Sequence, residues 1–237
     1  GMMNQRNEQL LLGKTATWLK ESLGYEFQNI QFLKQALTHR SASGINNERL
    51  EYLGDAILDL VISEAVYLQR PDATEGVLSR LRSSLVKDST LAELSTDLNV
   101  GKHLILGSGE KKSGGHRRVS ILADALEAMF GAVYLDAGFD EAKRVIYNVF
   151  ATRLIELPDA AELRDPKTRL QEFVQSKKIA LPNYQIEKVD GKAHKQIFSV
   201  RCTVAEFDVS TTGQGTTRRN AEQESAQHML AILAKAD

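Results

Sequence analysis

Glu51 and Asp55 stand four residues apart in Asn47–Val61, a stretch whose apolar residues recur at helical spacing. At about 100° per residue, Leu50, Leu53, Ile57, Leu60 and Val61 fall on one side, and Glu48, Glu51, Asp55 and Asp59 on the other. Like charges four apart cost an isolated helix a few tenths of a kcal/mol. No lysine stands between them, and a divalent cation would relieve the repulsion. A second stretch, Ile121–Phe130, has Asp124 and Glu127 three residues apart, with Leu122, Leu126, Met129, Phe130 and Val133 opposite. If the two helices pack together, Glu51, Asp55, Asp124 and Glu127 converge. An all-oxygen set of that kind suits a hard cation such as magnesium, whose shell is completed by water and substrate phosphate. Either helix alone is better explained by a solvated acidic face; it is the pair together that points to a cation.

These helices must be positioned by a chain of 237 residues, long enough for one large or two small domains. Its 42% hydrophobic content can build a core. No run approaches the ~18 apolar residues of a membrane span, and no signal-like segment opens the chain, so no membrane and a cytoplasmic location are expected. The single Cys202 excludes an internal disulfide and a multi-cysteine zinc site; its alternating surroundings suggest buried core. Residues 1–165 carry 19 basic and 23 acidic residues, net −4, and residues 166–237 carry 11 and 8, net +3. That split suits a metal-using part joined to a polyanion-binding part.

In chain order, helices are expected over Gln9–Leu23, stopped by Gly24, and over Phe27–Leu37. His39 and Arg40 sit by the loop that enters the first acidic helix, where they could reach a substrate or satisfy local carbonyls. Helix continues to Leu68. Thr74 then reads as an N-cap with Glu75 in the first turn, where an acid suits the dipole. Val77–Lys87 and Ser89–Leu98 read as two further helices. Ser108–Arg118 reads as a loop with three glycines and four cations, able to approach phosphate or simply to be solvated. Helical pattern runs to Asp136, breaks at Gly138 and resumes over Asp140–Ile155. A proline-containing acidic segment places a linker at 157–165. Beyond it the pattern is helix over Thr168–Lys177, strands at Tyr184–Val189, Phe198–Val204 and Phe207–Thr211, a turn at Gly213-Gln214-Gly215, and a final helix packed through Ala221, Ala226, Met229, Leu230 and Leu233. An all-α domain over 9–156 is thus followed by a small α+β domain, α-β-β-β-α, over 166–236, with a three-stranded antiparallel sheet and both helices on one face.

NNERLEYLGD at 46–55 and SGGHRRVSILADALEAMFGAVYLD at 113–136 resemble the two signature blocks of bacterial ribonuclease III, and residues 166–234 resemble a double-stranded-RNA-binding domain. The likeness covers nearly all of residues 17–234. It implies an all-α, homodimeric endonuclease domain that cuts double-stranded RNA to 5′-phosphate and 3′-hydroxyl ends with short 3′ overhangs. It implies work on ribosomal RNA precursors and on some messenger and transfer RNAs, with no small-molecule cofactor. By position, Glu51, Asp55, Asp124 and Glu127 match the magnesium ligands, with manganese able to stand in. Asp55 and Glu127 match the most critical catalytic positions. Glu48 and Glu75 match acids that line the catalytic valley and shape the dimer. Tyr52 matches an aromatic, usually Phe, that plugs into the partner subunit. In the RNA-binding domain, Thr168 and Gln171 match minor-groove contacts, and Lys192 and His194 lie in the loop that enters the next minor groove. Thr217, Arg218 and Arg219 match the phosphate-contacting start of the last helix, and Asn220 stands where a basic residue is common.

The residue chemistry agrees with that resemblance. Phosphodiester hydrolysis needs an activated water, a neutralised phosphoryl oxygen and a stabilised leaving oxygen, all of which a divalent cation can supply. Duplex RNA hides its base edges and is recognised by shape across its shallow minor groove. A non-catalytic RNA-binding regulator is the competing reading, but it gains nothing from four carboxylates that repel RNA.

Overall fold

The computed structural model describes residues 2–159 and 163–235, and the chain divides into two compact units, 1–158 and 159–237. Ala160, Ala161 and Glu162, inside the expected linker, lie outside the described residues.

The first unit is helical: α1 Met2–Leu23, α2 Ile30–Leu37, α3 Glu48–Gln69, α4 Glu75–Val86, α5 Asp88–Asp97, α6 Ser108–Lys112, α7 Val119–Ala137 and α8 Phe139–Ile155. Helix α7 is its axle and packs on α2, α3, α5 and α8. Every residue from Ile121 to Val133 except Asp124 is buried. The expectation of one apolar and one acidic face on this stretch is therefore corrected. A helix surrounded by others has no solvent face, and Ala123, Ala125, Ala128, Gly131 and Ala132 keep it slim enough to be enclosed.

Helices α3 and α7 touch backbone to backbone. A Cβ on Gly54 would lie 1.7 Å from the Glu127 carbonyl oxygen, and one on Gly131 would lie 2.3 Å from that of Leu50. Only glycine permits that approach. The start of α3 is anchored on the end of α2: the Asn47 amide donates to the Ala36 carbonyl at 3.1 Å, and the Asn47 N–H to Thr38. Thr38 also forms an isolated parallel bridge with Ile105. At the other end of α7, Asp136 accepts from the Tyr25 hydroxyl and from the N–H groups of Gln28 (2.8 Å) and Asn29 (2.9 Å), fixing the entry to α2. Thr74 caps α4 by accepting from Val77 N–H, as expected.

Several boundaries differ from expectation. Leu60 is not on the buried stripe of α3, which runs through Leu50, Gly54, Ile57, Leu58, Val61, Ile62, Ala65 and Val66. Leu60 is 57% exposed, on the same face as Tyr52 at 82% and Tyr67 at 66%. Segment 108–118 is not a plain loop. It holds α6 and a short 3-10 turn, Gly115–Arg117, joined by the Arg118–Glu110 ion pair at 3.2 Å.

The second unit runs α9 Pro166–Ser176, β1 Asn183–Asp190, β2 Ile197–Val204, β3 Val209–Gly215 and α10 Arg218–Lys235. The sheet is antiparallel in the order β1-β2-β3. Leu170 and Val174 of α9, Cys202 and Val204 of β2, and Ala226, Met229 and Leu233 of α10 form one core, so both helices cover the same face. Cys202 is buried there. Phe207 falls in a 3-10 turn ahead of β3, and Gly213-Gln214-Gly215 belongs to the strand rather than to a turn. The glycine is there for clearance: a Cβ on Gly213 would meet the Ser225 nitrogen of α10 at 2.3 Å.

Candidate active site and nucleic-acid interface

Where α3 crosses α7, a cleft of about 520 Å³ is lined by Glu48, Glu51, Tyr52, Asp55, Asp88, Asp124 and Glu127. Glu48 and Glu51 lie in the first turn of α3, where the helix dipole favours acids, and Asn46 accepts from the Glu48 N–H at 3.1 Å. The close crossing then sets the α3 acids against those of α7.

The carboxylates face one another in two hydrogen-bonded pairs. Glu127 is only 6% exposed. Burial, a hydrogen bond donated to Asp55, and the charges of Asp55, Glu51 and Asp124 push its carboxyl up to about 9. Burial, the charge of Asp124, a hydrogen bond to that same residue, and the charges of Glu48 and Asp55 push Glu51 up to about 7. Asp124 is raised by burial, against the hydrogen bond from Glu51; the charge of Asp88 adds to the rise, and His39 and Arg40 oppose it. Asp59 is raised by burial and by Asp55, with Arg82 opposing. It is not part of the cleft lining.

Six acids line this cleft and no cation does. Among the described residues no group of three His, Cys, Asp or Glu side chains is spaced to hold an ion as it stands. The donor chemistry nonetheless fits a hard divalent cation: every donor is carboxylate oxygen, and the raised carboxyls record a density of negative charge that such an ion neutralises.

Of the expected site residues, the structure brings Glu48, Glu51, Tyr52, Asp55, Asp124 and Glu127 together around this cleft. Glu75 is not: it is exposed in the first turn of α4 and does not line the cleft. Asp88 was missed. It opens α5, and in sequence it reads as an ordinary helix-start acid, so nothing there reveals that it faces this cleft. His39 takes the local role: its Nδ1 lies 2.8 Å from the Ser41 hydroxyl.

On the second unit, a pocket of about 560 Å³ is lined by Asp165, Lys167, Thr168, Gln171, Arg218, Arg219, Glu222 and Gln223. It joins the start of α9 to the start of α10. Asp165 caps α9, accepting from the Thr168 N–H at 2.8 Å and the Thr168 hydroxyl at 3.0 Å. Thr217 accepts from the Asn220 N–H at 3.1 Å, which makes it a cap for α10. Lys192 and His194 are exposed on the β1–β2 turn, away from this pocket, and Gly191 there takes φ +88°. Lys167, Glu222 and Gln223 are additions that sequence reasoning did not find, because their pairing joins residues more than fifty positions apart.

Comparison with known proteins falls on the same two units. Residues 29–154 match the family model described as Ribonuclease-III-like, and residues 166–233 match the double-stranded RNA binding motif. A ribonuclease 3 of Alkalilimnicola ehrlichii is 53% identical over 91% of this chain and 94% of its own. One of Thiobacillus denitrificans is 51% identical over 92% and 96%. Among solved structures, the nuclease domain of a ribonuclease III from Campylobacter jejuni, described as flexible in a region involved in dimer formation, matches with a TM-score of 0.54. It is 45% identical and covers 59% of this chain and 94% of that one.

Proposed function

Since this chain belongs to the ribonuclease III family of double-stranded-RNA endoribonucleases, we propose that it cuts at the α3–α7 cleft with divalent cations held by Glu51, Asp55, Asp124 and Glu127. The observation that carries this reading is the convergence of these acids on one cleft with no lining cation. Magnesium is the ion of choice for carboxylate, water and phosphate ligands, and manganese shares that preference. When bound, such ions supply Lewis acidity at the phosphoryl oxygen and a more acidic attacking water.

The chain's own residues do the rest. Glu127 holds its proton beside Asp55 at the crossing of α7 and α3, and its release adds a charged ligand there. Asp124 and Glu51 form the second hydrogen-bonded pair. Glu48 and Asp88 add negative charge at the rim, which keeps unpaired phosphate out until cations are in place. Water adds to phosphorus as the bond to the 3′ oxygen breaks and a proton passes to that oxygen. The products are a 5′-phosphate and a 3′-hydroxyl.

The working enzyme is a homodimer. Tyr52, Leu60 and Tyr67 form an exposed stripe on one face of α3 beside the cleft, and apolar residues in such a row suit burial against a second copy. Two clefts side by side would cut the two strands with a short 3′ overhang. Residues 9–156 are the catalytic, dimerising part, 157–165 the linker and 166–236 the RNA-binding part. Thr168 and Gln171 read one minor groove, Lys192 and His194 the next, and Thr217, Arg218 and Arg219 the phosphates between. Ribosomal RNA precursors and some messenger and transfer RNAs are the targets, and the cytoplasm is the place of action. No helix among the described residues is long and apolar enough to cross a membrane.

The deciding experiment incubates the protein with a long RNA duplex, with magnesium and with chelator, and analyses the ends. Magnesium-dependent cuts with 5′-phosphates are expected. Cleavage unaffected by chelator would remove the metal assignment.

A further inference from the structure

Glu222, one turn into α10, is nearly buried and holds two cations at once. Its Oε2 accepts from Lys167 Nζ at 2.6 Å and its Oε1 from Arg218 Nε at 3.0 Å. Its neighbour Gln223 accepts the Lys167 backbone N–H at 2.9 Å and also bonds Asp165. The Lys167 ammonium lies over the Tyr184 ring, 4.9 Å from its centre. The starts of α9 and α10 are thus tied together across the pocket whose rim carries Thr168, Gln171, Arg218 and Arg219. Burial would raise the Glu222 carboxyl, but the bonds from Lys167 and Arg218 outweigh it and hold it below the ordinary carboxylate range, so the group stays charged.

An acid beside a phosphate-binding surface ought to weaken RNA binding by repulsion. Here its charge is absorbed by two charge-assisted hydrogen bonds, which are short and directional. We infer that Glu222 is a positioning residue for duplex recognition, fixing the distance between the α9 face that reads a minor groove and the α10 start that reads phosphates. That distance has to match the groove-to-phosphate spacing of A-form RNA, so Glu222 sets preference for RNA duplex over DNA duplex as well as affinity. The inference rests on the assignment of Thr168, Gln171 and Arg218 to the RNA face.

The test uses the full chain and RNA and DNA duplexes of one sequence, longer than the about 16 base pairs such a domain spans. Glu222→Gln should raise KM for RNA roughly tenfold, as loss of a charge-assisted bond does, with kcat unchanged. It should also narrow the RNA-over-DNA ratio and flatten the salt dependence by about one phosphate contact rather than abolish it. Unchanged or tighter RNA binding, which charge removal alone would give, overturns the inference. If Glu222→Gln unfolds the unit, Gln223→Ala decides. It removes the bonds to the Lys167 backbone N–H and to Asp165, one of the two ties between α9 and α10, without altering charge, and should weaken RNA binding roughly threefold; an unaltered KM overturns the inference. Arg218→Ala is the control for the underlying reading. If it leaves RNA binding intact, the RNA-face assignment fails and the inference with it. If it weakens binding while both other variants do not, only the inference fails.

Discussion

Gly54 of α3 lies against Glu127 of α7 so closely that a Cβ added to the glycine would stand 1.7 Å from the Glu127 carbonyl oxygen. The residue that lets the helices touch is thus one turn from Leu50 and next to Asp55, and the residue it touches carries the most perturbed carboxyl of the cleft. Gly54→Ala should cost about 1–3 kcal/mol or more, because backbone rather than a pliable side chain must move. It should also lower cleavage beyond what the lost stability explains, since Asp55 and Glu127 are separated. Thermal melting and cleavage rates of the variant check this, and an unchanged melting temperature with full activity would contradict the crossing.

Glu127→Gln should reduce cleavage at least about a thousandfold while duplex binding stays within a few fold, because it removes a proposed ligand but leaves the RNA-binding unit untouched. Gel-shift and cleavage assays on the same preparation separate the two. Parallel loss of binding and cutting would point to misfolding instead.

The raised carboxyls make metal binding and stability depend on pH. Glu127, at about 9 in the fold, keeps its proton where an unfolded chain has already lost it above about 4.3. Metal-free stability therefore declines as pH rises from that value toward 9. Glu51 adds to the decline up to about 7. Divalent cation replaces those protons, so magnesium should raise the melting temperature more at pH 8.5 than at pH 5.5, and chelator should reverse the gain. Binding should release protons, visible as a buffer-dependent heat in calorimetry. Equal stabilisation at both pH values would mean that these acids do not hold the ion.

Leu60→Asp should dissociate the proposed dimer, raising its dissociation constant at least about tenfold by placing a charge in a buried apolar contact. The residue is 57% exposed in one chain, so the fold itself should melt as before. Sedimentation of the variant against the parent, with Tyr52→Asp alongside, gives the answer. A dimer that survives both changes would move the interface elsewhere.

The helical and strand segments were legible because their apolar spacing survives burial: Leu50, Ile57 and Val61 of α3, the α10 packing face and the alternation of β2 appear where the pattern places them. The errors share a cause. Leu60 and Phe207 are apolar residues whose neighbours are set by tertiary contacts, and Gly213 looks like a turn until α10 is seen passing over it. Glu75 is an acid with a sufficient local role as a first-turn residue, while Asp88 has the same appearance and faces the cleft. Sequence alone cannot separate those two.

The sequence by itself determined which residues are candidates for the chemistry, since four acids at helical spacing on two segments and a basic excess after residue 165 are properties of residue type and order. The tertiary structure alone decided that α7 is enclosed, that Asp88 joins the cleft, that Glu127 is buried enough to keep its proton, and that Glu222 binds cations from two helices. The physical reason is range. Periodicity and capping act over a few residues along the chain, whereas burial and charge coupling depend on neighbours that only the packed helices bring within a few ångströms.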